Sequence, residues 1–211
     1  MSVSVLPAYL EEKAVFVKER ANGAYTPLVF MLAHTVVDVP FMLLQTMMSG
    51  TLVYFLVGLN PSGDRILFFF VDLFLSFMVA ESIMLLVSAL VPVAILGIAV
   101  GGMIFGAFMV VQGFFIKVEN INWYWRWMHW IGMHTYSFSA FMHNEFSGRV
   151  FRAVPDASGG SIDARTGESV LEAYQFENVD KWSCMGVLVV MAFLYRLMAA
   201  LVMHYKHTGK R

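Results

Sequence analysis

Residues 82–116 read SIMLLVSALVPVAILGIAVGGMIFGAFMVVQGFFI and contain no charged side chain. Crossing the hydrocarbon of a bilayer takes about 20 mostly apolar helical residues, so this stretch is too long for one span. Pro92, between Val91 and Val93, lacks an amide hydrogen and disfavours helix in the residue before it. The stretch therefore divides there, which predicts one helix over 66–90 and another over 94–116. To the N-terminal side, residues 39–63 are also free of charge, and apolar character begins near Pro27. That pattern predicts a helix over 27–58, kinked at Pro40, whose start lies outside the bilayer core. The cluster Asn60-Pro61-Ser62-Gly63 ends it. A last apolar run covers 182–203.

Composition agrees with a lipid environment. The chain is 59% hydrophobic and only 14% charged, whereas about a quarter of the residues of an ordinary soluble protein are charged. A net charge of -1 and the lack of a basic stripe argue against a nucleic-acid partner. Cys184 is the single cysteine, so neither an internal disulfide nor a cysteine-based metal site can form. The first residues become charged where a signal peptide would be apolar, leaving insertion to the internal segments.

The expected fold is an all-α membrane protein with four transmembrane helices, an amphipathic cytoplasmic helix and a re-entrant or interfacial outer segment. Residues 1–26 form the cytoplasmic region; 27–148 hold three spans and the aromatic segment. Residues 149–181 are a polar extracytoplasmic loop, and 182–211 the last span and tail. The aromatic segment carries Trp123, Trp125, Trp127 and Trp130, rings that favour the headgroup zone. Four spans put both ends on one side. Lys13, Lys18 and Arg20 before the first span, with Lys206, Lys210 and Arg211 after the last, assign that side to the cytoplasm. Arg65, Lys117 and Arg126 on the other side make the bias modest.

Polar residues within the spans are the candidates for function, because a charge at mid-bilayer is costly and usually faces protein or water. Glu81 and Asp72 are read either as substrate or proton-coupling groups or as hydrogen-bonded packing groups. Nine residues apart on a helix, they project to nearly opposite faces and form no carboxylate pair. Asp38, beside Pro40, reads as a charge snorkelling to the inner surface, with a hinge or cavity role as the alternative. Arg196 reads as a headgroup anchor. Gly97 with Gly101, and Gly102 with Gly106, have the GxxxG spacing that lets helices approach closely. The segment 8–23 is amphipathic and charged, fit either for docking another domain or for lying on the interface. No catalytic constellation is present: the histidines form no HExxH, and neither GxSxG nor GxxxxGK[ST] occurs.

Several segments together resemble a known family. Phe16-Val17-Lys18-Glu19-Arg20-Ala21-Asn22-Gly23-Ala24-Tyr25 is similar to the coupling region of the G (white/brown-complex) subfamily of ABC transporters. Val39-Pro40-Phe41 with Tyr54-Phe55-Leu56-Val57-Gly58-Leu59 resembles its third transmembrane helix. Val79-Ala80-Glu81-Ser82 and Val91-Pro92 resemble the fourth, in the manner of plant cuticular-lipid exporters. Gln112-Gly113-Phe114-Phe115, Tyr136-Ser137-Phe138 and Asn144-Glu145-Phe146-Ser147-Gly148 resemble the fifth helix and the re-entrant segment, and Tyr195-Arg196-Leu197 the final helix.

The resemblance implies an ABC-2 type half-transporter of the plasma membrane that pairs with an identical or different half and exports a hydrophobic, lipid-like substrate. It implies that a nucleotide-binding domain, in cis or in trans, holds ATP and magnesium, with no cofactor in this chain. That domain and two further spans would precede this region, making the chain a fragment, a truncated product or a degenerate copy. Lys18, Glu19 and Arg20 would belong to the coupling helix. The alternatives are a self-contained channel or carrier using Glu81, and a non-transporting partner that dimerises through the glycine-rich third span.

Overall fold

The computed structural model describes residues 5–151 and 166–206, and the side chains from Leu6 onward. Eight α-helices occur among these residues: α1 (Val5–Ala21), α2 (Pro27–Val57), α3 (Gly63–Leu90), α4 (Ala94–Val110), α5 (Arg126–Ile131), α6 (Met133–Phe146), α7 (Gly167–Ala173) and α8 (Lys181–Lys206). The only strand-like pairing among them is an isolated bridge between Val150 and Thr166. Residues 152–165 of the segment 149–181, expected as a polar loop, and the two chain ends lie outside the described residues; the described remainder of that segment carries α7.

The breaks between helices follow from local chemistry. Pro27 occupies the first turn of α2, where a missing amide hydrogen costs nothing. Gly58 ends that helix in the left-handed region, at φ 70, and its amide returns to the carbonyl of Tyr54. Pro40 sits inside α2, as the sequence indicates. Leu90 is the last residue of α3 because Val91 is driven into extended conformation by Pro92. The predicted extent of the next helix needs correction, since α4 stops at Val110 rather than reaching 116. Gly113 takes φ 107 with the Phe176 ring packed against it, and the chain leaves the helical path. At a rise of 1.5 Å per residue, α4 is about 26 Å long. By length and composition three helices, α2, α3 and α8, can cross a membrane, and α4 is a shorter apolar helix beside them.

The packing is centred on α3. In its most apolar window 56% of residues are buried, against 17% for α2. α8 and α6 lie along α3, with Val79, Ile83, Leu188, Met191 and Met133 in one cluster between them. Ala80, Ser82, Ala192 and Ala199 are buried at these contacts, and small side chains let membrane helices approach closely. α2 instead turns Phe41, Leu44, Phe55 and Leu56 outward. Trp123, Trp125, Trp127 and Trp130 are all exposed, on the segment leading into and along α5.

Each end of the bundle is closed by polar contacts. At the end holding α1, Lys13 donates to the carbonyls of Ser88 (2.7 Å) and Ala89 (3.2 Å). Lys206 donates to those of Leu90 (2.8 Å) and Ala89 (3.4 Å). Two cations thus satisfy the orphan carbonyls at the negative end of the α3 dipole. At the opposite end Arg65 donates to the carbonyls of Glu145 (3.2 Å) and Ser147 (2.7 Å). The carboxylate of Glu145, itself buried, accepts from the amide of Asn60 at 3.1 and 3.2 Å and pairs with Arg149. Lys181, at the start of α8, donates to Asn144 at 3.2 Å.

Candidate functional site

Within the bundle, charged groups from four helices converge. Glu81 and Ser82 project from the buried middle of α3, and Arg196 from α8. The guanidinium donates to Glu81 Oε2 at 2.5 Å and, through Nε, to Ser82 Oγ at 3.0 Å. Ser82 passes its own hydroxyl hydrogen to the Met78 carbonyl at 2.6 Å. On the next helix His34 and Asp38 stand four residues apart, on one face of α2, and their side chains pair directly. His34 Nε2 also lies 3.4 Å from Glu12 of α1, and the Tyr9 ring meets His34 edge-on at 5.1 Å.

The balance of charge defines what this cluster can do. Glu81 is 4% exposed and Arg196 9%. Removing either partner of such a pair leaves an uncompensated buried charge, which is far more damaging than replacing both. Around the Arg196 cation stand the carboxylates of Glu81 and Asp38 and, at the exposed edge, Glu12, with His34 among them. Nitrogen and oxygen atoms of His34, Asp38 and Glu81 lie within 4.8 Å of one another, the spacing of a cation site, but Arg196 already places a positive charge on Glu81.

Two readings of the sequence change here. Arg196 is not a headgroup anchor: it is buried between α8 and α3, in contact with Glu81. Asp38 does not snorkel to the surface, because its carboxylate turns toward His34 and the Glu81 pair. In both cases the side chain has a protein partner inside the bundle, which sequence spacing between distant helices does not reveal. Asp72 faces a different neighbour, accepting from Ser137 of α6 at 2.8 Å.

The coupling-region residues separate. Lys18 is exposed, Glu19 accepts from the Tyr25 hydroxyl, and Arg20 donates to the carbonyls of Met203 and His204 at 3.4 Å. The hydrogen bond to Glu19, and then burial, push the Tyr25 phenol up to about 12. The glycines separate too. A Cβ at Gly97 would meet Leu6 at 2.8 Å, and one at Gly101 would meet Met84 at 2.5 Å, while nothing lies within 4 Å of Gly102 or Gly106. Gly97 and Gly101 seat α4 against α1 and α3; the second pair faces away from the bundle.

Sequence reasoning assigned Glu12, His34 and Ser82 no role inside the bundle. The His34–Asp38 spacing inside an apolar helix was a visible sign that two polar groups share a face. The partners across the helices were not visible.

An α-helical bundle with a buried ion pair, apolar outer faces and a charged helix locked across one end is a membrane domain. Residues 1–146 match the family model for the ABC-2 type transporter. The chain belongs to this family, as the membrane part of a transporter. It is 36% identical over 201 residues to ABC transporter G family member 11 of Arabidopsis thaliana, covering 93% of this chain and 28% of that protein. Similarity extends to G family member 5 of the same plant (31% over 202 residues, 96% and 31% covered). It extends also to G family member 1 of Petunia hybrida (30% over 207 residues, 96% and 31% covered). The chain therefore spans about three-tenths of the length of these relatives.

Proposed function

We propose that this chain is the membrane-spanning part of an ATP-driven exporter of hydrophobic, lipid-like compounds, with ATP bound and hydrolysed on a nucleotide-binding domain outside it. Two such halves, identical or different, would assemble in the plasma membrane, with the chain ends and α1 in the cytosol.

The observation that carries this reading is how α1 is seated. Its exposed face offers Glu11, Glu12 and Lys18 for docking, and its buried face touches every long helix. Leu6 lies against Gly97 of α4. Phe16 packs on Phe30 of α2 with ring centroids 4.8 Å apart. Lys13 holds the end of α3, and Arg20 the end of α8. A displacement of α1 by a docked domain is therefore felt by all four at once, and Glu12 extends the contact to His34 and the buried cluster. Such a lever shifts populations between two bundle arrangements only if the docked domain binds them with different affinity.

The reading is tested by co-reconstituting the chain with a nucleotide-binding G-family half-transporter in proteoliposomes and following efflux of a fluorescent lipid. ATP-dependent efflux that needs both chains is expected. Flux by this chain alone, driven by a proton gradient and abolished by Glu81→Gln, would replace the exporter with a self-contained carrier.

A further inference from the structure

Residues 111–125, between α4 and α5, hold no α-helix and only a single 3-10 turn at Val118–Asn120. Lys117, Glu119, Asn120 and Asn122 on this segment are exposed, as are the rings of Trp123, Tyr124 and Trp125. The segment leads into α5, which is fixed beside the middle of the bundle. Met128 packs into the cluster that holds Val79 and Ile83 of α3. His129 Nδ1 lies 2.6 Å from the Val111 carbonyl oxygen, and the Tyr195 hydroxyl donates to the Ile131 carbonyl at 3.0 Å. Yet Arg126, Trp127 and Trp130 of the same short helix are exposed.

Helix lengths bound where this face lies. The 28 residues of α3 rise about 42 Å, about 12 Å more than a hydrocarbon layer of about 30 Å. Val79 is about 24 Å along the helix from Gly63, so it lies about 12 Å inside the layer even if the whole excess stands on the Gly63 side. α5, packed beside Val79 and Ile83, is carried to that level. An exposed arginine and an irregular, exposed backbone are not left against hydrocarbon. Lys117 and Arg126 outnumber the one acid of the segment, Glu119, and an identical face from a second copy would bring the same cations. Phosphate is the complementary group, and tryptophan rings favour the headgroup zone. We infer that the leaflet opposite α1 is drawn inward over α5, with phospholipid phosphates on Arg126 and Lys117 and the four tryptophan rings among the headgroups. Such a notch shortens the path from the middle of the bundle to the headgroup zone. It requires only that α3 crosses a bilayer, and so stands apart from the exporter reading.

The test uses the full chain with Cys184→Ala in phosphatidylcholine nanodiscs, carrying one nitroxide at Trp127→Cys or at Phe193→Cys. Phe193 is 71% exposed on α8, three residues before Arg196, and serves as the lipid-facing reference at a similar level. Collision with a water-soluble nickel chelate, relative to oxygen dissolved in the hydrocarbon, is expected to be about 5-fold greater at 127 than at 193. Arg126→Leu should cut that difference about 2-fold or more, because the phosphate loses its partner. Equal ratios at the two positions overturn the notch. Weak collision with both reagents at 127 means that protein, such as a second copy, covers the face, and overturns it too. A ratio at 127 unchanged by Arg126→Leu overturns headgroup binding and leaves water alone in the notch. If Trp127→Cys fails to fold, Trp182→Phe leaves every tryptophan of the chain on this segment. Their fluorescence should then be quenched by aqueous iodide and little by phosphatidylcholine brominated near its tail ends; the reverse order overturns the inference.

Discussion

Arg196 of α8 holds Glu81 of α3 at 2.5 Å across a sequence separation of 115 residues. Both are buried, and Ser82 next to Glu81 takes the second guanidinium hydrogen bond. The contact ties the last helix to the central one inside the bundle, where both side chains are shielded by protein.

Breaking this pair on one side is expected to be severe. Arg196→Met or Glu81→Leu alone should lower bundle stability by about 3–5 kcal/mol, whereas the two together should recover a large part of the loss. Denaturant titration in bicelles, followed by tryptophan fluorescence, reads all three variants. Single variants as stable as the parent would show that the two charges do not meet.

The two glycine pairs should respond differently to added bulk. Gly101→Val drives a side chain into Met84 and should cost about 1–3 kcal/mol. Gly101→Ala is milder, because the thioether end of Met84 can swing aside. Gly102→Ala and Gly106→Ala meet nothing within the chain and should be neutral or slightly stabilising in the isolated chain through helix propensity. Thermal unfolding of the four variants ranks them, and a loss at Gly102 equal to that at Gly101→Val would contradict the packing.

Lys13 is held below the usual lysine range by burial first and by Lys206 second. Lys206→Gln removes the second cause and should move the Lys13 pKa partway up, leaving the effect of burial. Carbon NMR of reductively methylated lysines against pH measures it. Because the folded-state pKa lies below the unfolded one, the unfolded chain holds this proton more tightly. Stability linked to Lys13 should therefore rise as pH climbs from the folded pKa toward the ordinary value near 10.5. No movement of the Lys13 resonance in Lys206→Gln would mean that the two ammonium groups do not share the end of α3.

At the opposite end, Glu145→Ala should free the Asn60 amide and release Arg149 together. Hydrogen exchange at residues 58–63 and 145–150 is expected to accelerate about 10-fold or more, since a local hydrogen bond and an ion pair are lost at once. Protection unchanged in the 58–63 turn would place its closure elsewhere.

Much of the architecture was legible in one dimension because lipid imposes a simple rule: backbone polar groups must be satisfied within the helix, and side chains must be apolar for the length of a crossing. Pro92, the Asn60–Gly63 cluster and the charge-free runs of 39–63 and 82–116 therefore mark helices and their limits directly. The end of α4 was less legible. Residues 111–116 remain apolar, and only the packing of Phe176 against Gly113 shows why the helix stops at Val110. Asp72 and Glu81 were identifiable as buried polar groups on different faces, but Ser137 and Arg196 could not be assigned to them from spacing.

The sequence by itself determined that this is a helical membrane protein, where its long helices lie, and that a charged amphipathic helix precedes them. Hydropathy and proline chemistry act locally, so each can be read from neighbouring residues. Only the tertiary structure decided that Arg196 is a buried partner rather than an anchor, that Asp38 turns inward to His34, and that Lys13 and Lys206 meet at the end of α3. These depend on which helices lie side by side, and a helix's own residues constrain its neighbours only through the packing of the whole bundle.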